Sequence, residues 1–158
     1  MQDPSAVTDI IFQVGLNNLN DGWTPEKIKD RTLEMQKKYN ATFPNARQHI
    51  TGLPPLETKH RRTNNLLIEL KEHTKSNYIT TKPFLDNNTK QPRLKLFKVK
   101  NNQPDFHYNQ GEGIKTLAKA IRRSLYSMEN IEPVRLNQLR QSQPPLITIE
   151  DEDEPIWV

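Results

Sequence analysis

The chain of 158 residues contains no cysteine. That absence excludes disulfides, thiolate nucleophiles and cysteine-ligated zinc, and it fits a reducing compartment. Glycine is scarce, with five residues against twelve prolines, and only 33% of residues are hydrophobic while 27% are charged. Such a composition supports one modest core and leaves parts of the chain without enough apolar surface to bury. No apolar run approaches bilayer length, and Met1 to Thr8 lacks the basic start and apolar stretch of a secretory signal. The expectation is an intracellular protein, cytoplasmic or nuclear, with no membrane span. His49, His60 and His73 show no spacing to carboxylates typical of a metal site, so no metal or other cofactor is expected.

Charge is present but unevenly divided. The formal net charge is +4, yet Met128 to Val158 holds seven acids and two arginines, a net of −5 that leaves +9 on Met1 to Ser127. A basic body of this kind attracts nucleic acid nonspecifically, although the same lysines also serve simply to solvate helix faces. The division suggests a folded domain over 1–127 and a disordered acidic tail over 128–158, where Pro133, Pro144, Pro145 and Pro155 interrupt any periodicity.

The body alternates strand and helix signals. Asp9 to Gly15 is a short β-rich apolar stretch ending in Gly, followed by a polar loop from Leu16 to Gly22. Thr24-Pro25 then supplies a cap and a favoured first helical residue, and the helix should stop near Phe43-Pro44. Arg47 to Pro55 reads as a second strand closed by prolines, Thr63 to Thr74 as a helix, and Asn77 to Thr81 as a brief third strand. Leu94 to Val99 reads as an edge strand or an ordered loop. The clearest helix follows, because Ile114, Leu117, Ala118, Ile121 and Leu125 fall on one face. This rhythm predicts α/β architecture with a parallel sheet and helical crossovers.

Two polar constellations lie where such sheets place ligands, at strand carboxyl ends. In Gly15-Leu16-Asn17-Asn18 the glycine permits a sharp turn, and the Asn17 amide could donate to a developing oxyanion. In Asp105-Phe106-His107-Tyr108-Asn109 a carboxylate stands near the side chain best suited to general-base work at neutral pH. Each is also an ordinary turn composition, with Asn109 a helix cap.

Taken in order, these segments resemble the C-terminal portion of the SGNH (GDSL-type) hydrolase family, over about Asp9 to Tyr126. The match rests on the strand ending in Gly-x-Asn, the Asp/His pair, and the His107-Tyr108-Asn109-Gln110-Gly111 run leading into the last helix. Leu53-Pro54-Pro55 with the basic and Asn-rich residues after it is similar to esterase-like domains of animal retroelements. The resemblance implies a three-layer, flavodoxin-like parallel sheet flanked by helices, with the N-terminal strands missing. It also implies an ester substrate, with Asn17 as oxyanion donor, Asp105 as orienting acid and His107 as general base. Three departures qualify this. Asn18 replaces the family's usual Asp, one residue rather than two separates Asp105 from His107, and only eight residues precede the first strand, too few for the Gly-Asp-Ser nucleophile block. Ser5, Ser76, Ser124, Ser127 and Ser142 lack the context of a nucleophile. The expectation is therefore an incomplete hydrolase-like domain, weakly active or inactive, with an apolar strand edge open to association. The alternative is a noncatalytic module binding nucleic acid or protein. For the latter, Leu146-Ile147-Thr148-Ile149 followed by the acids Glu150 to Glu154 resembles a SUMO-interacting motif, which adds a strand to a partner sheet.

Overall fold

The computed structural model describes residues 6–128, 146–149 and 155–157, with residues 105, 106 and 128 and the two last segments described by backbone alone. The fold is mixed α/β, with four α-helices among the described residues. Its centre is β1 (Asp9–Phe12), whose Ile10, Ile11 and Phe12 are completely buried. A strand covered on both faces needs such an unbroken apolar run. To one side of it lie β2 (Arg47–Thr51) and then β3 (Asn77–Ile79), both parallel, with Ile10 opposite Gln48 and Ile50 opposite Tyr78.

Between these strands run two long helices. In α2 (Pro25–Thr42) the Thr24 hydroxyl accepts from the Lys27 amide at 3.1 Å, and the helix ends immediately before Phe43-Pro44. The next helix, α3 (Thr58–Thr74), begins five residues earlier than its apolar stripe suggested. Glu57 and His60 form a reciprocal capping box there, so the start is set by polar groups rather than by leucines. His60 consequently sits in a first helical turn, fully buried.

Alternate strand residues face opposite ways. Ile10 and Phe12 pack on Met35 and Tyr39 of α2, while Ile50 meets Leu67 and Leu70 of α3. Ile11 and Ile79 instead meet Ala120 of the last helix, α4 (Glu112–Met128). Helices α2 and α4 thus pack against opposite faces of β1.

The stretch before α4 departs from expectation. Phe97–Lys100 and Gln103–Tyr108 are antiparallel strands, β4 and β5, joined through Asn101 and Asn102 at φ 53° and 61°. Two successive left-handed residues make the tight hairpin turn whose twist matches paired strands, and Asn tolerates that region better than most side chains. Asp105 and His107 therefore belong to a strand of a ribbon separate from the main sheet, not to a loop. An aromatic cluster docks the ribbon, with Phe84 stacked on Tyr108 at 4.2 Å between centroids and Leu96, Phe97 and Leu117 around them. Asn109 then caps α4 by accepting from the Gly113 amide at 2.8 Å.

Within the segment 128–158, Leu146–Ile149 forms β6 and Pro155–Trp157 forms β7. Strand β6 runs parallel to β1 on the side away from β2, with Asp9 opposite Leu146 and Phe12 opposite Ile149, and β7 pairs antiparallel outside it. The sheet order is β3-β2-β1-β6-β7. The flank of β1 expected to stand open is thus occupied by the chain's own later strand. The acids Glu150 to Glu154, on which the SUMO-motif reading partly rests, lie outside the described residues. Among the described residues no helix is long and apolar enough to cross a membrane.

Candidate functional site

A cavity of about 300 Å³ opens at the carboxyl ends of β1 and β2. Gln13 and Val14 from the end of β1, the short helix α1 (Leu16–Asn20), the loop Gly52 to Pro54, and the inner side of the β4–β5 ribbon all contribute to its wall. Asn17 and His107 both line it. The two constellations picked out in the sequence, distant along the chain, therefore come to one place.

Local backbone chemistry explains how Asn17 gets there. Gly15 adopts φ 98°, a left-handed conformation that glycine takes without steric cost, and a Cβ at this position would stand 2.6 Å from the Ile28 methyl. The reversal lets α1 begin at once, with Leu19 N–H donating to Gly15 O at 2.8 Å. Asn17 is consequently in the first turn of a helix, where a polar loop had been expected, and is exposed at the cavity.

Two residues of α3, one turn apart, hold the opposite wall. The Asn64 amide brackets the Leu53 backbone, accepting from its N–H at 2.6 Å and donating to its carbonyl at 3.0 Å. His60 reaches Asn20 of α1 at 3.4 Å through Nε2 while its Nδ1 accepts from the Glu57 amide. Desolvation holds this imidazole down at about 4 even though the Glu57 carboxylate opposes the shift, so it is neutral at pH 7. Neither residue was singled out for this work in the sequence. The i, i+4 spacing of His60 and Asn64 was visible, but the partners they reach were not.

The ribbon supplies the third wall. His107 is exposed on β5, and Lys98 of β4 lines the cavity with it. Asp105 precedes His107 by two residues on the same strand, and its side chain lies outside the described residues. Tyr108 is buried behind them, and among the described residues its hydroxyl has no hydrogen-bond partner. Burial pushes this phenol far above its ordinary range, and burial likewise raises Tyr78 to about 12, so both remain protonated. Ile114, the first residue of the predicted apolar face of α4, is 46% exposed because it turns to the cavity rather than to the core.

Among the described residues no serine lines this cavity. Ser76 bonds to Thr74 at 2.8 Å, and Ser124 accepts from the Asn77 amide at 2.6 Å, each away from His107. Comparison with protein-family models, curated proteins and solved structures finds no match. The site is therefore read from its own chemistry: an amide donor, an imidazole and a lysine around a pocket whose floor is Val14, Leu53 and Pro54.

A second polar cluster was not foreseen. Asp9 receives Nε and a terminal nitrogen of Arg47 at 2.9 and 2.8 Å and contacts His49 Nε2 at 2.7 Å. From His49 Nδ1 the chain of contacts continues to the Asn77 amide at 3.0 Å and on to Ser124. An Asp, a His and a Ser thus stand in series, but Asn77 separates imidazole from hydroxyl and His49 has no exposed surface. No proton can pass directly from Ser124 to His49, and no substrate reaches the buried imidazole. The cluster ties β1, β2, β3 and α4 together. Its members are strand partners, Asp9 facing Arg47 and His49 facing Asn77, a relation created by the parallel register.

Proposed function

We propose that the chain is an SGNH/GDSL-related hydrolase-like domain that admits a small ester-type ligand and turns it over weakly or not at all. The observation that carries this reading is the convergence of Asn17 and His107 on one cavity at the carboxyl ends of parallel strands. An amide donor and a general base on two walls of one cavity are the parts that stabilise and deprotonate during acyl transfer. The layering of helices on both faces of β1 supports a flavodoxin-like arrangement. Among the described residues no serine lines the cavity, so this reading assigns hydrolysis to water that His107 activates rather than to an acyl-enzyme. Helix α1 aims its first turn at the site, and Asn64 and His60 keep its walls in place.

Hydrolysis of p-nitrophenyl acetate tests the proposal, together with titration of methyl butyrate followed by NMR. Slow turnover without a burst is expected, lowered about tenfold or more in His107→Ala, with resonances of Asn17 and His107 shifting as the ester is added. Identical rates in the wild type, His107→Ala and Asn17→Ala, with no shift at either residue, would overturn it. A stoichiometric burst would overturn the claim that no nucleophile is present.

A further inference from the structure

A second concavity lies apart from the cavity, between α4 and the loops that precede β4. It measures about 410 Å³ and is lined by Pro83, Arg93, Glu112, Lys115, Thr116, Lys119 and Arg123. We infer that this groove binds the phosphate backbone of nucleic acid, independently of base sequence.

Charge and spacing carry the inference. Lys115, Lys119 and Arg123 recur every four residues along α4, so they form one row of exposed cations with about 6 Å of rise between neighbours. The row extends for about 12 Å, a length over which one nucleic-acid strand presents about three or four phosphates. The facing wall provides Arg93, whose guanidinium is held by a 3.1 Å bond to the Pro83 carbonyl. Among the described residues Lys115, Lys119 and Arg123 form no ion pair. Glu112, the one acid in the groove, is 3.8 Å from Lys95 and so already has a cationic neighbour. Four cations therefore line the groove against one carboxylate, with the charge of Arg93 also felt by nearby Asp86.

The groove's shape and lining select among anionic partners. A membrane-docking face inserts apolar side chains below the headgroups, whereas among the described residues no large apolar side chain lines this groove. A row of cations on one wall and a fixed guanidinium on the other instead track a narrow polyanion from both sides. The groove also lies on the helix that anchors His107's ribbon, but it shares no lining residue with the ester cavity, so the two proposals stand or fall separately.

Fluorescence anisotropy with a labelled 20-nucleotide RNA, the matching DNA strand and the 20-base-pair duplex, over a salt series, tests this. All three are expected to bind, because phosphates and not bases are read. In Lys115→Gln/Lys119→Gln/Arg123→Gln the slope of log K against log salt for single strands should fall by about 2, at about 0.7 per lost phosphate contact, with affinity at low salt reduced at least about tenfold. Arg93→Gln should lower the slope by about 0.7 from the other wall. A control losing the same charge, Lys29→Gln/Lys37→Gln/Lys71→Gln on α2 and α3, should keep most of the affinity. The inference fails if the control and groove variants weaken binding equally. It also fails if no oligonucleotide binds, or if the protein binds phosphatidylserine vesicles and none of the three nucleic acids.

Discussion

Single residues in this molecule act mainly through the backbone conformations and buried charges they permit. Gly15 is the sharpest case. Its φ of 98° and the 2.6 Å approach of Ile28 to a notional Cβ mean that an added methyl meets both a backbone penalty and a packed side chain. Gly15→Ala should therefore destabilise the fold by about 2–4 kcal/mol, combining the cost of a left-handed residue with that of overpacking. Urea unfolding would measure it, and a loss below about 1 kcal/mol would show that α1 shifts to make room. The requirement for a glycine here was legible, since a strand running into Gly-x-Asn already called for a sharp turn. The identity of the clashing partner was not, because Ile28 reaches Gly15 only after α2 has packed. The role of Asn109 as a cap was equally readable, whereas Asn64 carries no local signal at all: it bonds to Leu53 across the fold.

At the level of elements, propensity and periodicity located most helices and strands, and the failures have identifiable causes. Apolar alternation marked Leu94 to Val99 as an edge strand or an ordered loop but did not reveal β5 or its pairing with β4, for which the decisive signal is Asn101-Asn102, a two-residue turn demanding positive φ. Helix α3 began early because a capping box, not an apolar stripe, sets its start. The most consequential element is β6. Four β-prone residues beside a run of acids read as a solvated tail or as a strand for a partner, and here they pair with β1. The expected association through an open strand edge loses its physical basis when that edge is paired. Truncation after Met128 should restore it. The shortened chain is expected to be less stable and to sediment with concentration-dependent mass, whereas the full chain should not. Equal behaviour of the two would mean that β6 adds nothing to the sheet.

For the whole molecule, the buried titratable groups set how stability follows pH. The folded-state pKa of His60 lies at about 4, below its ordinary 6.5. Between those values the unfolded chain takes up a proton that the folded chain refuses, so stability is full above 6.5 and falls as pH drops toward 4, by up to about 3 kcal/mol. Asp9 acts in a lower window. Burial alone would raise its carboxyl, but hydrogen bonds from His49 and Arg47 outweigh that and hold it at about 2 against an ordinary 3.8. Its contribution, about 2 kcal/mol, is present above 3.8 and lost as pH falls toward 2. Stability measured from pH 8 to 2 should decline in two stages. His60→Gln should flatten the upper stage, and Asp9→Asn should flatten the lower one while reducing stability throughout. A single transition in the wild type, unaffected by either variant, would contradict this assignment.

Local patterns in the sequence determined which stretches become helices or strands, the parallel sheet at the centre, the basic body, and the two polar segments that belong to the candidate site. Those properties follow from side-chain periodicity, caps and charge, which act over a few residues. Tertiary structure decided that Asn17 and His107 share a cavity, that His49 is sealed beside Asp9, that Leu146–Ile149 closes the flank of β1, and that the cations of α4 face Arg93 across a groove. Each of these depends on strand register or on the packing of distant elements, and neither is encoded in the spacing of residues along the chain.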